Sequence, residues 1–240
     1  MTATPHPQRA QVPRRGRVAF AVISTIVGIF AAILSLYRPA LFRPYFGQPH
    51  PLLVFAAAII AASICLAWLS SHTRFQLLSP AHDPFWPVAV TLVPTLLTVP
   101  AIAADALIGF PRDMNVSAPE SLLFYPAIGY IAEVTFRLLP LTLFLFTLTV
   151  PLRVPATGRM IWTAVLFAAA AEPIFQVAFS LNRHPLTFLE GFVAAHVFIF
   201  GVAAGWVFLR YDFATMYLFR LVYYLWWHIV WGTLRLHLLF

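Results

Sequence analysis

The sequence predicts an all-α fold, a polytopic bundle of about seven transmembrane helices, and three observations carry that prediction. First, 61% of the residues are hydrophobic and 10% are charged, against roughly 45–50% and 25% in soluble domains. Second, the apolar residues fall into runs of membrane-crossing length joined by short connections, and the mean hydropathy is +0.85. Third, the 15 cationic side chains are all arginine, and most of them stand in tails and loops between the runs.

The first run, VAFAVISTIVGIFAAILSL (18–36), has no charge and is long enough to cross a hydrocarbon core of about 30 Å. It follows Arg9, Arg14, Arg15 and Arg17. A secretory leader has a shorter apolar stretch and a small-residue cleavage site, so an uncleaved first span is expected. Further runs lie at 51–70, 85–110, 120–150, 160–180, 190–209 and 212–236, which makes seven spans with an error of one. Pro87, Pro94 and Pro100 interrupt the third, and Asp105 lies near its end. It is expected as a kinked span or a pair of broken segments whose freed backbone groups neighbouring protein must satisfy. The fourth run is long enough to tilt or to start as an interfacial segment.

Residues 1–17 read as a basic cytoplasmic tail and 18–240 as a single integral membrane domain. With the N-terminus inside, the cytoplasmic segments hold Arg9, Arg14, Arg15, Arg17, Arg74, Arg153, Arg159 and Arg210. The other side holds Arg38, Arg43, Arg112, Arg183 and Arg235. That bias sets a cytoplasmic N-terminus, and a bacterial inner (plasma) membrane is the expected location. The net charge of +7 forms no stripe on a soluble face, which excludes nucleic acid as a partner. Anionic headgroups of membrane lipid are the simpler partner for it. The one cysteine, Cys65, lies inside the second span, so neither an intrachain disulfide nor a thiolate cluster is available.

Ionisable side chains at membrane depth are expensive, and each one marks a candidate site. They are Glu133, Arg137, Glu172, His196, Arg220 and His228, all in the C-terminal half, which leaves the first two spans as scaffold. Glu133 and Arg137 stand at i and i+4 and can pair on one helix face. A purely structural ion pair is the plain alternative for them. Glu172 precedes Pro173, where a kink would let a carboxylate cap loosened backbone donors. Packing accounts for a lone His196, and interfacial enrichment accounts for the Trp and Tyr residues around His228. Together, two carboxylates and two imidazoles on four successive helices are the ingredients of a hydrolytic metal site. Imidazoles hold a metal or polarise a carbonyl while a carboxylate takes a proton from water.

The order of three motifs resembles the CPBP intramembrane endopeptidases, the family of type II CAAX prenyl proteases and abortive-infection-like proteins. That family carries E-E-x-x-x-R, then F-x-x-x-H, then H-x-x-x-N or H-x-x-x-D on separate helices. AEVTFR (132–137) resembles the first motif, FVAAH (192–196) the second and HIVWG (228–232) the third. The stretch from Gly201 to Arg220 is similar to the family's G-x-x-x-G segment. The likeness covers about residues 120–236. Three departures stand out. Ala132 occupies the first glutamate position and Gly232 the Asn/Asp position. FAAAA (167–171) is an alternative site for the second motif, with Ala171 in place of histidine and Glu172 beside it.

The resemblance implies peptide-bond hydrolysis within the membrane, on a membrane-embedded or lipid-anchored peptide. Glu133 or Glu172 would be the general base, and Arg137 would orient Glu133 or hold the helix register. His196 and His228 would bind a divalent metal, with zinc as the candidate, or stabilise the oxyanion. The two histidines are then expected to face each other across the sixth and seventh helices, with Glu133 or Glu172 completing the cluster. Two other readings stand beside it. One is a catalytically inactive relative that binds a partner or peptide, which Ala132 and Gly232 favour. The other is a small transporter or proton-conducting protein that uses the same residues as a relay.

Overall fold

Each apolar run folds as a helix, because backbone groups removed from water must bond within their own segment. The computed structural model describes residues 14–79, 82–181 and 187–240, and no strand occurs among them. Helix α1 spans Arg14–Tyr37. A 3-10 turn at Pro39–Phe42 and the single turn α2, Arg43–Phe46, lead to α3, Pro51–His72. A π-helical turn at Val88–Leu92 opens α4, Val93–Ile108. Next come α5, Ser121–Glu133, a π-turn at Val134–Leu138 and α6, Leu139–Thr149. The last segments are α7, Gly158–Leu181, α8, Phe188–Arg210, and α9, Phe213–Tyr224. A π-turn at Leu225–Trp231 joins α9 to α10, Gly232–Leu238.

Six of these stretches are long and apolar enough to cross a membrane, including Val88–Ile108 and Ser121–Thr149 as continuous units. The seventh is 213–238, α9 running through its π-turn into α10. The protein is therefore an all-α, multi-pass integral membrane protein of about seven spans. The third run is one span and not two broken segments. The prolines are absorbed by geometry: the turns at Val88–Leu92 and Val134–Leu138 each end two residues before a proline, Pro94 and Pro140. Proline lacks the N–H that α pairing needs and its ring crowds the carbonyl of the preceding turn. A wider i→i+5 turn accommodates both. The 29-residue stretch Ser121–Thr149 is about 43 Å long at 1.5 Å per residue, so it must tilt to fit. Most of the tail, residues 1–13, lies outside the described residues, as does Arg183; α1 already begins at Arg14.

The helices pack in a ring closed through α9. Helix α1 packs on α3 and α5, α3 on α6, α6 on α7, α7 on α8, and α8 on α9. Helix α9 also packs on α4 and α5, and its buried Phe213, Met216 and Phe219 are at 0% exposure. Helices α7 and α8 approach closely because α8 presents Gly201 and Gly205. A Cβ on Gly205 would lie 2.6 Å from Val165 Cγ1, and one on Gly201 would lie 3.1 Å from Ala169 Cα. Small residues let transmembrane backbones come this close.

Polar contacts fix both ends of the bundle. Thr187 and Glu190 form a capping box at the start of α8. Asp212 caps α9, accepting from Thr215 N–H at 2.7 Å. It also accepts from Ser79 N–H at 2.9 Å and meets His82 Nε2 at 2.9 Å, which ties the α3–α4 connection to the α8–α9 corner. Asp83 pairs with Arg210 there, and the Arg210 hydrogen bond holds its carboxyl below the ordinary value near 3.8. At the other end Arg235, expected in a loop, is fully buried. Its guanidinium grips Asp105 through two N–H donors at 2.6 and 2.8 Å. It also donates to the carbonyl oxygens of Phe110 at 2.7 Å and Pro111 at 3.0 Å. The buried Asp105 carboxylate draws it inward, since neither charge can stay alone in hydrocarbon.

Candidate functional site

The ionisable residues of the C-terminal half converge, but not in the pairs that spacing suggests. Glu133 ends α5, Arg137 lies in the π-turn that follows, Glu172 lies mid-α7 and Arg220 mid-α9. No hydrogen bond or ion pair joins Glu133 to Arg137 among the described residues. Glu133 instead accepts from Arg220 Nε through Oε1. Arg137 donates from Nη2 to Glu172 Oε2 at 2.9 Å. Arg220 bridges the two carboxylates, reaching Glu172 Oε2 at 3.0 Å and Oε1 at 3.3 Å. The physical reason is supply from a third helix. A guanidinium that enters from α9 serves Glu133 and Glu172 together, which an intrahelical i, i+4 pair cannot do.

The result is an alternating chain, Glu133–Arg220–Glu172–Arg137, with two negative and two positive groups, every member at 8% exposure or less. Glycines make room for it. A Cβ on Gly201 would stand 2.7 Å from Arg137 Nη2, and one on Gly129 would lie 3.4 Å from Arg220 Cδ. Arg220 also donates to the Tyr224 hydroxyl oxygen at 2.9 Å and lies 5.0 Å over the Phe200 ring. Two atoms of the chain, Glu133 Oε2 and Arg137 Nε, are buried without a hydrogen-bond partner.

His196 on α8 and His228 in the last π-turn both line one cavity of about 230 Å³, together with Glu172, Gln176, Arg220 and Tyr224. Glu133 and Arg137 are not among its lining residues, so Glu172 is the carboxylate that reaches it. Each imidazole is already engaged on one side. His196 Nε2 meets the Tyr223 hydroxyl at 2.9 Å, and its ring stacks on Phe192. His228 Nδ1 meets Asn115 Oδ1 at 2.7 Å, and its ring stacks on Tyr125 with centroids 4.4 Å apart. Asn115 comes from the α4–α5 connection and packs against Gly232, where a Cβ would meet its Nδ2 at 2.9 Å.

A divalent metal does not fit this donor set. Both oxygens of Glu172 accept from guanidinium N–H groups, and the cations of Arg220 and Arg137 would repel a second cation beside them. Among the described residues, no three His, Cys, Asp or Glu side chains gather as a metal-holding group. The carboxylates also have their lone pairs turned to arginine rather than to a water in the cavity. The arrangement holds polar groups at membrane depth and opens a small, aromatic-walled space beside them.

Reading the sequence had left Arg220 without a role and missed Tyr224 and Asn115 altogether. One signal for Arg220 was available: two carboxylates at membrane depth need two cations, and Arg137 supplies one. Asn115 gave none, because it sits in a connection far from the helices it serves. Comparison with protein-family models, with curated proteins and with solved structures finds no match for this chain.

Proposed function

We propose that this chain is a catalytically inactive, CPBP-like membrane protein that binds a partner or peptide at the cavity beside its buried charge chain. One observation carries the reading: both candidate bases, Glu133 and Glu172, are engaged by Arg220 and Arg137. A general base needs a lone pair within reach of the proton it takes, and here those lone pairs accept from guanidinium groups. Ala132 puts a methyl group where the family's first motif has glutamate. On α9 the residue that meets Glu133 and Glu172 is Arg220, with Tyr224 four residues on, and not His228 with Gly232. Where the family pattern would place histidine and Asn/Asp against the glutamates, this chain then holds an arginine and a tyrosine. The protein sits with its N-terminus in the cytoplasm, and a bacterial inner membrane is its site. Reporter fusions after residues 17 and 240 should report opposite sides.

The endopeptidase reading is favoured by one specific observation, the shared cavity of Glu172, His196 and His228. Purified protein in lipid nanodiscs, challenged with a panel of transmembrane peptides, separates the two. Cleavage no faster than that of a Glu133→Gln/Glu172→Gln variant is expected. Cleavage that a single Glu172→Gln substitution abolishes would overturn the binding reading and restore the enzyme.

A further inference from the structure

We propose that the cavity is a binding site for an uncharged phenolic ring, a single six-membered aromatic ring bearing a hydroxyl group. This rests on the binding reading above and specifies what is bound. Size sets the first limit. A volume of about 230 Å³ lies below the roughly 300–1,000 Å³ of pockets for drug-sized ligands. It lies above the ~150 Å³ apolar cavity that takes up benzene. One ring with a polar substituent fills that space.

The walls set the second limit. Phe192, His196 and Phe200 recur every four residues on α8, and Tyr223, Tyr224 and Trp227 face them from the last span. Flat faces on both sides favour a flat guest, through offset or edge-on ring packing.

Charge sets the third limit. Glu172 and Arg220 border the space, but both belong to the alternating chain of two anions and two cations, which sums to zero. An ion entering the cavity would lose its water and find no uncompensated counter-charge, a costly exchange. A neutral guest meets no such penalty.

Hydrogen bonding sets the last. Tyr224 receives a hydrogen bond from Arg220 through its oxygen, which leaves its O–H free to donate. The Gln176 amide makes no hydrogen bond among the described residues, and each imidazole uses only one ring nitrogen there. Donors and acceptors therefore stand on the α7–α8 side, Gln176 and His196, and on the side of the last span, Tyr224 and His228. A hydroxyl both donates and accepts, so it can satisfy groups of either kind.

Calorimetric titration of the purified protein in nanodiscs tests this with phenol, toluene, benzoate and benzylammonium. Two variants accompany the wild type: Val193→Trp, which fills the cavity, and Gln176→Leu, which keeps its volume and removes the amide. Phenol should saturate the wild type and bind at least ten-fold more weakly to Val193→Trp. Benzoate and benzylammonium should bind at least ten-fold more weakly than phenol. Gln176→Leu should weaken phenol several-fold and leave toluene unchanged, and it serves alone if the tryptophan variant does not fold. Equal heats for wild type and both variants would mean partition into lipid only and would overturn the site. Tighter binding of either ion, or of toluene, would overturn the ligand class.

The ring has two possible carriers, a free phenol or the tyrosine side chain of a bound peptide. Competition with phenol by a transmembrane peptide that loses potency on Tyr→Phe identifies the second, and phenol binding without competition identifies the first. Peptide cleavage, by contrast, would strike the binding reading whether or not phenol binds.

Discussion

The Asp105–Arg235 clamp and the Glu133–Arg220–Glu172–Arg137 chain are both buried and both neutral, yet they are built to different standards. In the clamp every valence is used. Asp105 Oδ1 accepts from Phe110 N–H and Arg235, and Oδ2 accepts from Trp231 Nε1–H at 2.7 Å and Arg235. The remaining donors of Arg235 go to backbone carbonyl oxygens. In the chain, Glu133 Oε2 and Arg137 Nε stay unfilled, and one carboxylate borders an open cavity. The first arrangement is closed and joins helix ends. The second is left partly open where the space for a guest begins. A saturated ion pair serves structure, whereas spare hydrogen-bonding capacity beside a cavity is what a ligand can use.

Removing one cation from each cluster sharpens that contrast. Arg220→Leu strips Glu133 of its only partner and Glu172 of one of two, so it should have the largest effect. The loss should approach the upper end of the roughly 3–5 kcal/mol seen when one member of a buried pair is deleted. Adding Glu133→Leu should recover much of that loss, as read from reversible denaturation in detergent. If the double variant is no more stable than the single one, the shared-cation picture is wrong.

Arg235→Leu should cost less, nearer 3 kcal/mol, because Asp105 keeps donors from Phe110 and Trp231. The same unfolding measurement ranks the two, and a larger loss at Arg235 would reverse the comparison. Gly201→Ala tests the glycine that admits Arg137. Its new methyl group would press on Arg137 Nη2 and on the α7 backbone at Ala169, for a loss of about 1–3 kcal/mol by overpacking.

The smallest effect belongs to Asp83→Asn at the exposed corner. Because Arg210 lowers the Asp83 carboxyl below 3.8, its contribution is fully present above that value. It fades as pH falls through the depressed folded value. Wild type and variant should therefore differ slightly at neutral pH and converge in strong acid. A gap that widens on acidification would contradict the pairing.

These differences also explain what could be read in advance. The seven spans were legible because hydropathy and length act locally, and their observed limits fall within a few residues of the expected ones. The turns before Pro94 and Pro140 had a local cause in the missing N–H. Partner choice did not. Whether Glu133 meets Arg137 or Arg220 depends on how α9 is rotated against α5 and α7, which no spacing within one helix records. Arg235 was misplaced for the same reason: a charge near a span end reads as a loop residue until Asp105 is known to lie opposite. Asn115 illustrates the extreme case, a loop side chain whose partner is 113 residues away in the sequence.

The π-turn at Leu225–Trp231 has a consequence for how this chain tolerates changes in length. Such a turn holds one more residue than the α-helical path between the same two ends. Deleting a single residue inside it would restore ordinary winding and swing everything beyond by about 100°. Gly232 would leave Asn115, and Arg235 would turn from Asp105 toward lipid. Side-chain exchanges at Leu225 or Trp226, both exposed, leave that phase untouched. Among descendants of this sequence the segment should accept substitutions freely and refuse single-residue gaps, so that its length is preserved even where its composition drifts.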